Sequence, residues 1–373
     1  MTRVLEVVYG FGYGGIRAFI MNYLKYLDKE KFKVDIYVFG AGSSPFTPQV
    51  MQMGARIFFE PENNVRNILR FVHQLKTFMR NNGPYDVVHA NNNLISAWVL
   101  LAAKMEGVPI RLAHSHTTSH FRGTWIQNVY SYLRRFMIDR LATNKLACGQ
   151  LAGETMYGKN AKFEILANGI SVERFMHRDE KRIEELREQL NIPLNSKVYA
   201  NVTRMDPPKN HLFAVEVFRE IHKIERNAIF LYGGTTPKFF STVDQVKAKI
   251  EEYGLTDFCR YTEPVMDIDQ LYHLTDVWIY CSAYEGLPFG PIELQAASVP
   301  VIASDVITKE IDLDLDLIHF LSLNDSPQKW AELAISMNKH QVNKDDIVTA
   351  FQKYHFDIRQ GVNKLEAIYE GKK

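Results

Sequence analysis

Short β-type runs alternate with amphipathic stretches along this chain, and the alternation runs through twice. In the first pass, strand patterns fall at residues 4–9, 34–39, 56–59, 86–89 and 110–113, with helical patterns at 16–27, 65–80 and 94–105. The 65–80 stretch has apolar residues at 68, 71, 72, 75 and 79, the spacing of one buried helix face. The second pass has strand patterns at 198–203, 228–232, 258–262, 277–281 and 300–303, separated by helical patterns at 212–225, 243–252, 268–274 and 292–297. Strands joined through helices pair in parallel and are covered on both faces, so the fold class is α/β. A chain of 373 residues has room for two such units, and 46% apolar residues supply their cores. The expected organisation is two Rossmann-like, doubly wound domains at 1–175 and 196–355, joined by a charged linker at 176–195. Their strand C-termini would face one cleft, where sheets of this kind bind ligands. This composition excludes a disordered tail, a collagen-like rod and a disulfide miniprotein. The three cysteines are scattered without a CxxC pair, which fits a reducing, cytoplasmic protein.

Chemistry concentrates where strands end. Gly10-Phe11-Gly12-Tyr13-Gly14-Gly15 follows the first strand and satisfies G-x-G-x-x-G. Glycine there lets backbone approach a phosphate or sugar at a helix N-terminus. A dinucleotide site also needs an acid closing the second strand. Asp35 opens that strand instead, so NAD is disfavoured. The sharpest pattern is Ser282-Ala-Tyr-Glu285-Gly286-Leu287-Pro-Phe289-Gly-Pro-Ile-Glu293, directly after a buried strand. Its turn exposes backbone N–H groups between two carboxylates that can accept hydroxyl donors from a sugar and a ribose. Thr203-Arg204-Met-Asp-Pro-Pro-Lys209-Asn210 also follows a strand, and Arg204 and Lys209 would bring two cations to one diphosphate.

At these residues the chain resembles the retaining family 4 glycosyltransferases of GT-B fold, of the bacterial exopolysaccharide and capsule type. Glu285 to Glu293 is similar to the family's E-x7-E motif, and Arg204 with Lys209 to its donor-phosphate pair. Gly14-Gly15 resembles the N-terminal glycine loop, Asn168-Gly169-Ile170 the segment closing the first domain, and Leu231-Tyr-Gly233-Gly234 the strand and turn written G-x-G. His116 resembles the histidine near the transferred sugar. Thr262-Glu263-Pro264-Val265 replaces the family's common glycine-containing base loop, a departure that bears on the nucleobase contacts more than on the chemistry. Ser298 stands where glycine is common. The resemblance implies transfer of a hexose or N-acetylhexosamine from a nucleotide diphosphate sugar, with UDP favoured, to a saccharide acceptor. Arg204 and Lys209 would stabilise the leaving diphosphate without metal or cofactor. Glu285 would hold sugar hydroxyls, Glu293 the ribose, and His116 the sugar or acceptor side. The substrate-binding set is then Gly14, Gly15, Gly233, Val265, Gly286, Leu287, Phe289 and Glu293. It implies further that a final helix at 356–373 returns to the first domain. A nucleotide-sugar epimerase of the same fold, or a non-catalytic sugar-nucleotide-binding subunit, are the other readings.

Two acidic patterns invite a metal reading and do not support it. Asp267-Ile-Asp269 begins a helical pattern, and Asp312-Leu-Asp314-Leu-Asp316 alternates like a strand. His114, His116 and His120 have no acid or thiol beside them and read as neutral hydrogen-bonding groups. Residues 1–175 carry a net charge of +9 and the remainder −8. On the 65–80 helix Arg66, Arg70, Lys76 and Arg80 share one face with no acid in the stretch. A second cluster joins Arg134, Arg135 and Arg140 with Trp125, Tyr130, Tyr132 and Phe136. Nothing points to nucleic acid. No apolar run approaches the ~20 residues of a spanning helix. The partners expected are therefore the donor, a saccharide or lipid-linked saccharide acceptor, and an anionic membrane surface on which the protein lies peripherally.

Overall fold

The computed structural model describes residues 1–62, 65, 67–117, 124–236, 240–264 and 267–372. The chain divides into two units, Met1–Ile170 with His355–Lys373, and Ser171–Tyr354. The division falls at Ile170, so residues 176–195 lie inside the second unit rather than between units. There the charged stretch forms a helix, Glu180–Gln189, capped by the Asp179 side chain. It buries Ile183 and Leu186 and is tied to the Ile268–Leu274 helix by the Arg182–Asp267 ion pair at 2.9 Å.

Among the described residues the first unit holds a seven-stranded sheet. Its strands are β1 (Thr2–Tyr9), β2 (Phe32–Phe39), β3 (Arg56–Glu60), β4 (Val87–Ala90), β5 (Ile110–Ser115), β6 (Asn144–Ala147) and β7 (Glu164–Ile165). Their order is β3-β2-β1-β4-β5-β6-β7, parallel throughout. β1 and β2 are apolar along most of their length because helices cover both faces of a parallel sheet. One core packs Leu5, Val7, Tyr37 and Phe39 of the sheet against Phe71, Leu75 and Phe78 of the Ile68–Asn82 helix. That helix starts three residues later than the pattern suggested, because the Asn67 side chain caps it by accepting from the Arg70 N–H.

Asp35 is the buried anchor of this sheet's edge. It accepts from Arg56 at 2.6 and 2.7 Å and from the Tyr85 hydroxyl at 2.6 Å. Those partners occupy it structurally, which removes it as a ribose ligand. The C-terminal helix, Ile358–Tyr369, belongs to the same unit. Phe356 and Ile358 exchange backbone hydrogen bonds with Ile170 at 2.9 and 3.0 Å. A side chain at Gly169 would meet the Ile358 backbone at 3.0 Å, so the Asn168-Gly169-Ile170 segment is the seat of the returning chain.

The second unit holds a six-stranded parallel sheet among the described residues. Its strands are β8 (Val198–Val202), β9 (Ile229–Gly233), β10 (Cys259–Thr262), β11 (Val277–Tyr280), β12 (Val301–Ser304) and β13 (Ile318–Leu321). Their order is β10-β9-β8-β11-β12-β13. Counted from β8 this is the 3-2-1-4-5-6 order of a Rossmann sheet, with its switch point between β8 and β11. Tyr199, Phe230 and Ile279 pack with Phe218 and Trp330 to form the core. The strand expected at 312–316 is not there. Asp314 and Asp316 take left-handed conformations, and the strand begins at Ile318. Alternation of Asp and Leu in that stretch reflects turns that bury Leu313 and Leu317 and half-bury Leu315.

Candidate active site

The loops after β8 and β11 meet at the switch point of the second sheet. Beyond β8 the chain makes a single 3-10 turn, Pro207–Lys209, and Asn210 then adopts φ 53, which asparagine tolerates better than most residues. The Ala283 N–H donates to the Pro208 carbonyl at 2.7 Å and fastens the two loops together. Across this junction Lys209 forms an ion pair with Glu285 and donates to the Tyr280 hydroxyl at 3.2 Å. The Tyr280 hydroxyl donates to Glu285 at 3.0 Å. Burial and the neighbouring carboxylate raise the tyrosine well above its usual pKa, so it stays a donor. Arg204, on the same loop as Lys209, is held by Asp206 at 2.5 Å.

Glu293 lies on the Phe289–Ala296 helix and accepts from the Tyr272 hydroxyl at 2.9 Å. Gly286 and Phe289 are half-buried and Leu287 is buried, forming the turn between the two acids. Gly233 closes β9 at φ 134, and a side chain there would strike the Thr262 carbonyl at 2.2 Å. Only glycine fits that crossing. Val265 lies outside the described residues, as do Arg66 and His120. The structure therefore gathers Arg204, Lys209, Glu285 and Glu293 onto one sheet's C-terminal edge. The tyrosines that orient the two glutamates, Tyr280 and Tyr272, were not signalled by the sequence. Tyr280 closes an apolar strand run and Tyr272 lies within a helical pattern, so neither stands out from structural residues.

The first unit carries the glycine loop and His116. Side chains built at Gly10, Gly12 or Gly14 would meet nothing within 4 Å, so packing does not demand these glycines. Gly14 precedes the Gly15–Tyr26 helix directly. His116, just past β5, donates from Nε2 to Asn91 Oδ1 at 2.8 Å. The Asn91 amide donates in turn to buried Glu6 at 2.6 Å, and because a carboxylate accepts, the amide oxygen must face the histidine. Glu6 also accepts from the Tyr369 hydroxyl at 2.7 Å and contacts His89 at 3.0 Å. Burial, then the neighbouring His89, lowers His116 to about 3. The imidazole is thus neutral, its proton on Nε2, and Nδ1 has no partner among the described residues. Nearby, Asn93, Ser115, Thr117, Asn128, Tyr132 and Arg135 line a cavity of about 320 Å³.

Known proteins share this plan. Glycosyltransferase Family 4 matches residues 13–174, and Glycosyl transferases group 1 matches residues 182–313. The chain is a family 4 glycosyltransferase of GT-B fold. A Bacillus subtilis (strain 168) protein named as a glycosyltransferase, EpsF, is 29% identical over 98% of this chain and 96% of its own. The UDP-Gal:alpha-D-GlcNAc-diphosphoundecaprenol alpha-1,3-galactosyltransferase of Escherichia coli is 24% identical over 78% of this glycosyltransferase and 76% of itself. In fold, the chain is similar to Anabaena HepE crystallised with UDP-glucose, with a TM-score of 0.79 at 16% identity, covering all of both chains. A Rickettsia africae glycosyltransferase gives the same score at 18% identity, over 99% of this chain and 98% of its own.

The remaining motifs of the glycosyltransferase have structural partners. Asp269 is paired with Arg174 at 2.6 Å, and Asp314 with Lys353 at 3.0 Å. The basic helix face is partly neutralised by acids from outside its own stretch. Glu106 meets Arg80 at 2.7 Å and Lys76 at 3.7 Å, while Glu62 meets Arg70 at 3.4 Å. A local reading of residues 65–80 could not supply those acids.

Proposed function

We propose that this enzyme transfers a hexose or N-acetylhexosamine from UDP-sugar to a lipid-linked saccharide during surface polysaccharide synthesis, with retention of anomeric configuration and without a metal. The observation that carries this reading is the Lys209–Glu285–Tyr280 constellation at the second sheet's switch point, with Arg204 on the same loop. In the resting arrangement each cation is held by a carboxylate, which keeps its side chain ordered. Donor diphosphate oxygens would then share Arg204 and Lys209 as the anomeric C–O bond breaks and negative charge builds on the leaving group. Glu285 accepts hydroxyl donors from the sugar, and Glu293 from the ribose. The acceptor hydroxyl attacks on the face the diphosphate leaves, and the diphosphate takes its proton. His116, neutral and with Nδ1 available, accepts a hydroxyl hydrogen bond on the acceptor side. The E. coli relative's name, with UDP-Gal and a diphosphoundecaprenol acceptor, supports the donor and acceptor classes.

A membrane surface is the reading's third part. The Trp125–Leu141 helix exposes Trp125, Val129, Tyr132 and Phe136 along one face, Trp125 and Tyr132 each to 75%. Arg134, Arg135 and Arg140 lie on the same helix. Aromatic and basic residues so combined suit an anionic lipid interface. The same helix lines the 320 Å³ cavity, which would hold the acceptor saccharide.

The test is incubation with labelled nucleotide sugars, with and without lipid-linked acceptor, and assignment of the product's anomeric configuration by NMR. The expected outcome is acceptor-dependent transfer with retention, lowered more than about tenfold by Arg204→Ala or Lys209→Ala. Wild-type turnover in the double variant, acceptor-independent epimerisation, or activity lost to chelator and restored by manganese would each overturn part of it.

A further inference from the structure

The second unit contains a cavity of about 280 Å³ at the opposite end of the Phe289–Ala296 helix from its first residue. Arg178, His273, Ser298, Lys339, His340 and Lys344 form its polar wall, and none of the described residues lining it is acidic. Lys339 donates to the carbonyls of His273 and Thr275 at 2.8 Å and to that of Tyr272 at 3.5 Å. An ammonium there complements the C-terminal end of the Ile268–Leu274 helix and pins the segment that closes the cavity. Burial lowers it to about 8. Arg178 is shared with Glu180 at 2.6 Å. Lys344 has no ion-pair partner among the described residues.

His273 supplies the second, independent sign. It is 92% buried, lines this cavity, and its Nε2 has no hydrogen-bond partner among the described residues. Burial, with Lys339 and Arg178 nearby, lowers it to about 4, so the ring is neutral. Nε2 is therefore an unsatisfied ring nitrogen on a side chain with Lys339 and Arg178 nearby, in a cavity that Lys344 also lines. The group that satisfies both is an anion carrying a hydroxyl. Charge would meet Lys344, Arg178 and Lys339, while a P–OH or sugar hydroxyl donates to Nε2.

We propose that this cavity is a binding site for a small phosphate anion, free or carried on a sugar, separate from the donor loops. Its walls are the ends of two elements that hold Glu293. Tyr272, which donates to Glu293, directly precedes His273, and Ala296 to Ser298 close the helix that carries Glu293. An occupant would thereby bear on donor affinity, a consequence that rests on the proposed role of Glu293, whereas the site itself does not.

Calorimetric titration of the full chain with inorganic phosphate, glucose 6-phosphate and glucose tests it. We expect saturable binding of one or both anions, weakened at least about tenfold by Lys344→Glu and by His273→Phe, and unchanged by Lys209→Ala. Lys344 is exposed, so its variant keeps the fold, and melting curves check His273→Phe. Preference for glucose 6-phosphate over phosphate would identify the sugar-borne form, and equal binding the free anion. Absence of saturable binding, binding of glucose alone with equal strength, or binding that survives Lys344→Glu but disappears in Lys209→Ala would overturn the site. Titrating UDP with and without the anion reads the coupling separately, so failure of UDP to bind would count against the donor reading alone.

Discussion

His116 shows how much a single hydrogen-bond chain can decide. Its Nε2 proton is set by Asn91, and Asn91 is set by Glu6, so the lone pair is fixed on Nδ1. Replacing Asn91 by Leu removes the acceptor and frees the ring to exchange tautomers. Nitrogen NMR should then report a mixture in Asn91→Leu where the wild type is Nε2-protonated. Turnover should fall about tenfold while donor KM holds, because one positioned hydrogen bond is worth roughly 1–2 kcal/mol. An unchanged tautomer with turnover within about twofold of wild type would refute the positioning role. At this scale the glutamates, the cations and the histidine were legible in the sequence, since each follows a strand pattern. Asn91, Glu6, Tyr272 and Tyr280 were not, because what makes them matter is contact with residues distant in sequence, Glu6 with Asn91 85 positions away and with Tyr369 363 away.

Two elements carry consequences of their own. The C-terminal helix crosses the first unit's Gly15–Tyr26 helix at Gly361, where a side chain would come within 2.3 Å of the Tyr23 hydroxyl. That hydroxyl donates to the Ala167 carbonyl at 2.8 Å and cannot withdraw without losing the bond. Gly361→Ala should therefore destabilise by about 1–3 kcal/mol, seen as a lower melting temperature. A melting temperature equal to wild type would show that the crossing has slack. The Trp125–Leu141 helix makes the second prediction. Wild-type protein should co-sediment with anionic vesicles at low salt, and a variant with Trp125 and Phe136 both changed to Glu should not. Changing Lys76 and Arg80 to Glu should matter less, because Glu106 already pairs with both. Equal sedimentation of all three proteins would remove this helix as the membrane contact. That helix escaped a reading by periodicity because apolar residues fall on its exposed face as well as at buried Ile138 and Leu141.

Across the whole molecule, buried neutral histidines set an acid limit on stability. His114, His211 and His273 are buried, and burial lowers each below its ordinary 6.5, to about 4 for the last two. The unfolded chain binds protons at these sites before the folded one does. Their contribution is therefore complete above about pH 6.5 and is lost as pH falls toward 4, at an order of 1–2 kcal/mol each between about pH 7 and pH 5. Calorimetric scans should show the melting temperature falling by several degrees over that range, in steps that His211→Asn or His273→Asn reduces. A flat profile would mean that the histidines stay solvated. Local sequence pattern was enough for two parallel sheets, most of their helical cover and the strand ends after which Arg204, Lys209, Glu285, Glu293 and His116 stand. Periodicity and strand termination are local properties, set within a few residues. Tertiary structure alone decided the partners: Asp35 with Arg56 and Tyr85, Glu106 with the basic helix, Glu6 with Asn91, and the basic cavity around His273. A charge or a hydrogen-bonding atom acts on whatever lies within a few ångströms of it, and only the folded chain brings residues distant in sequence that close.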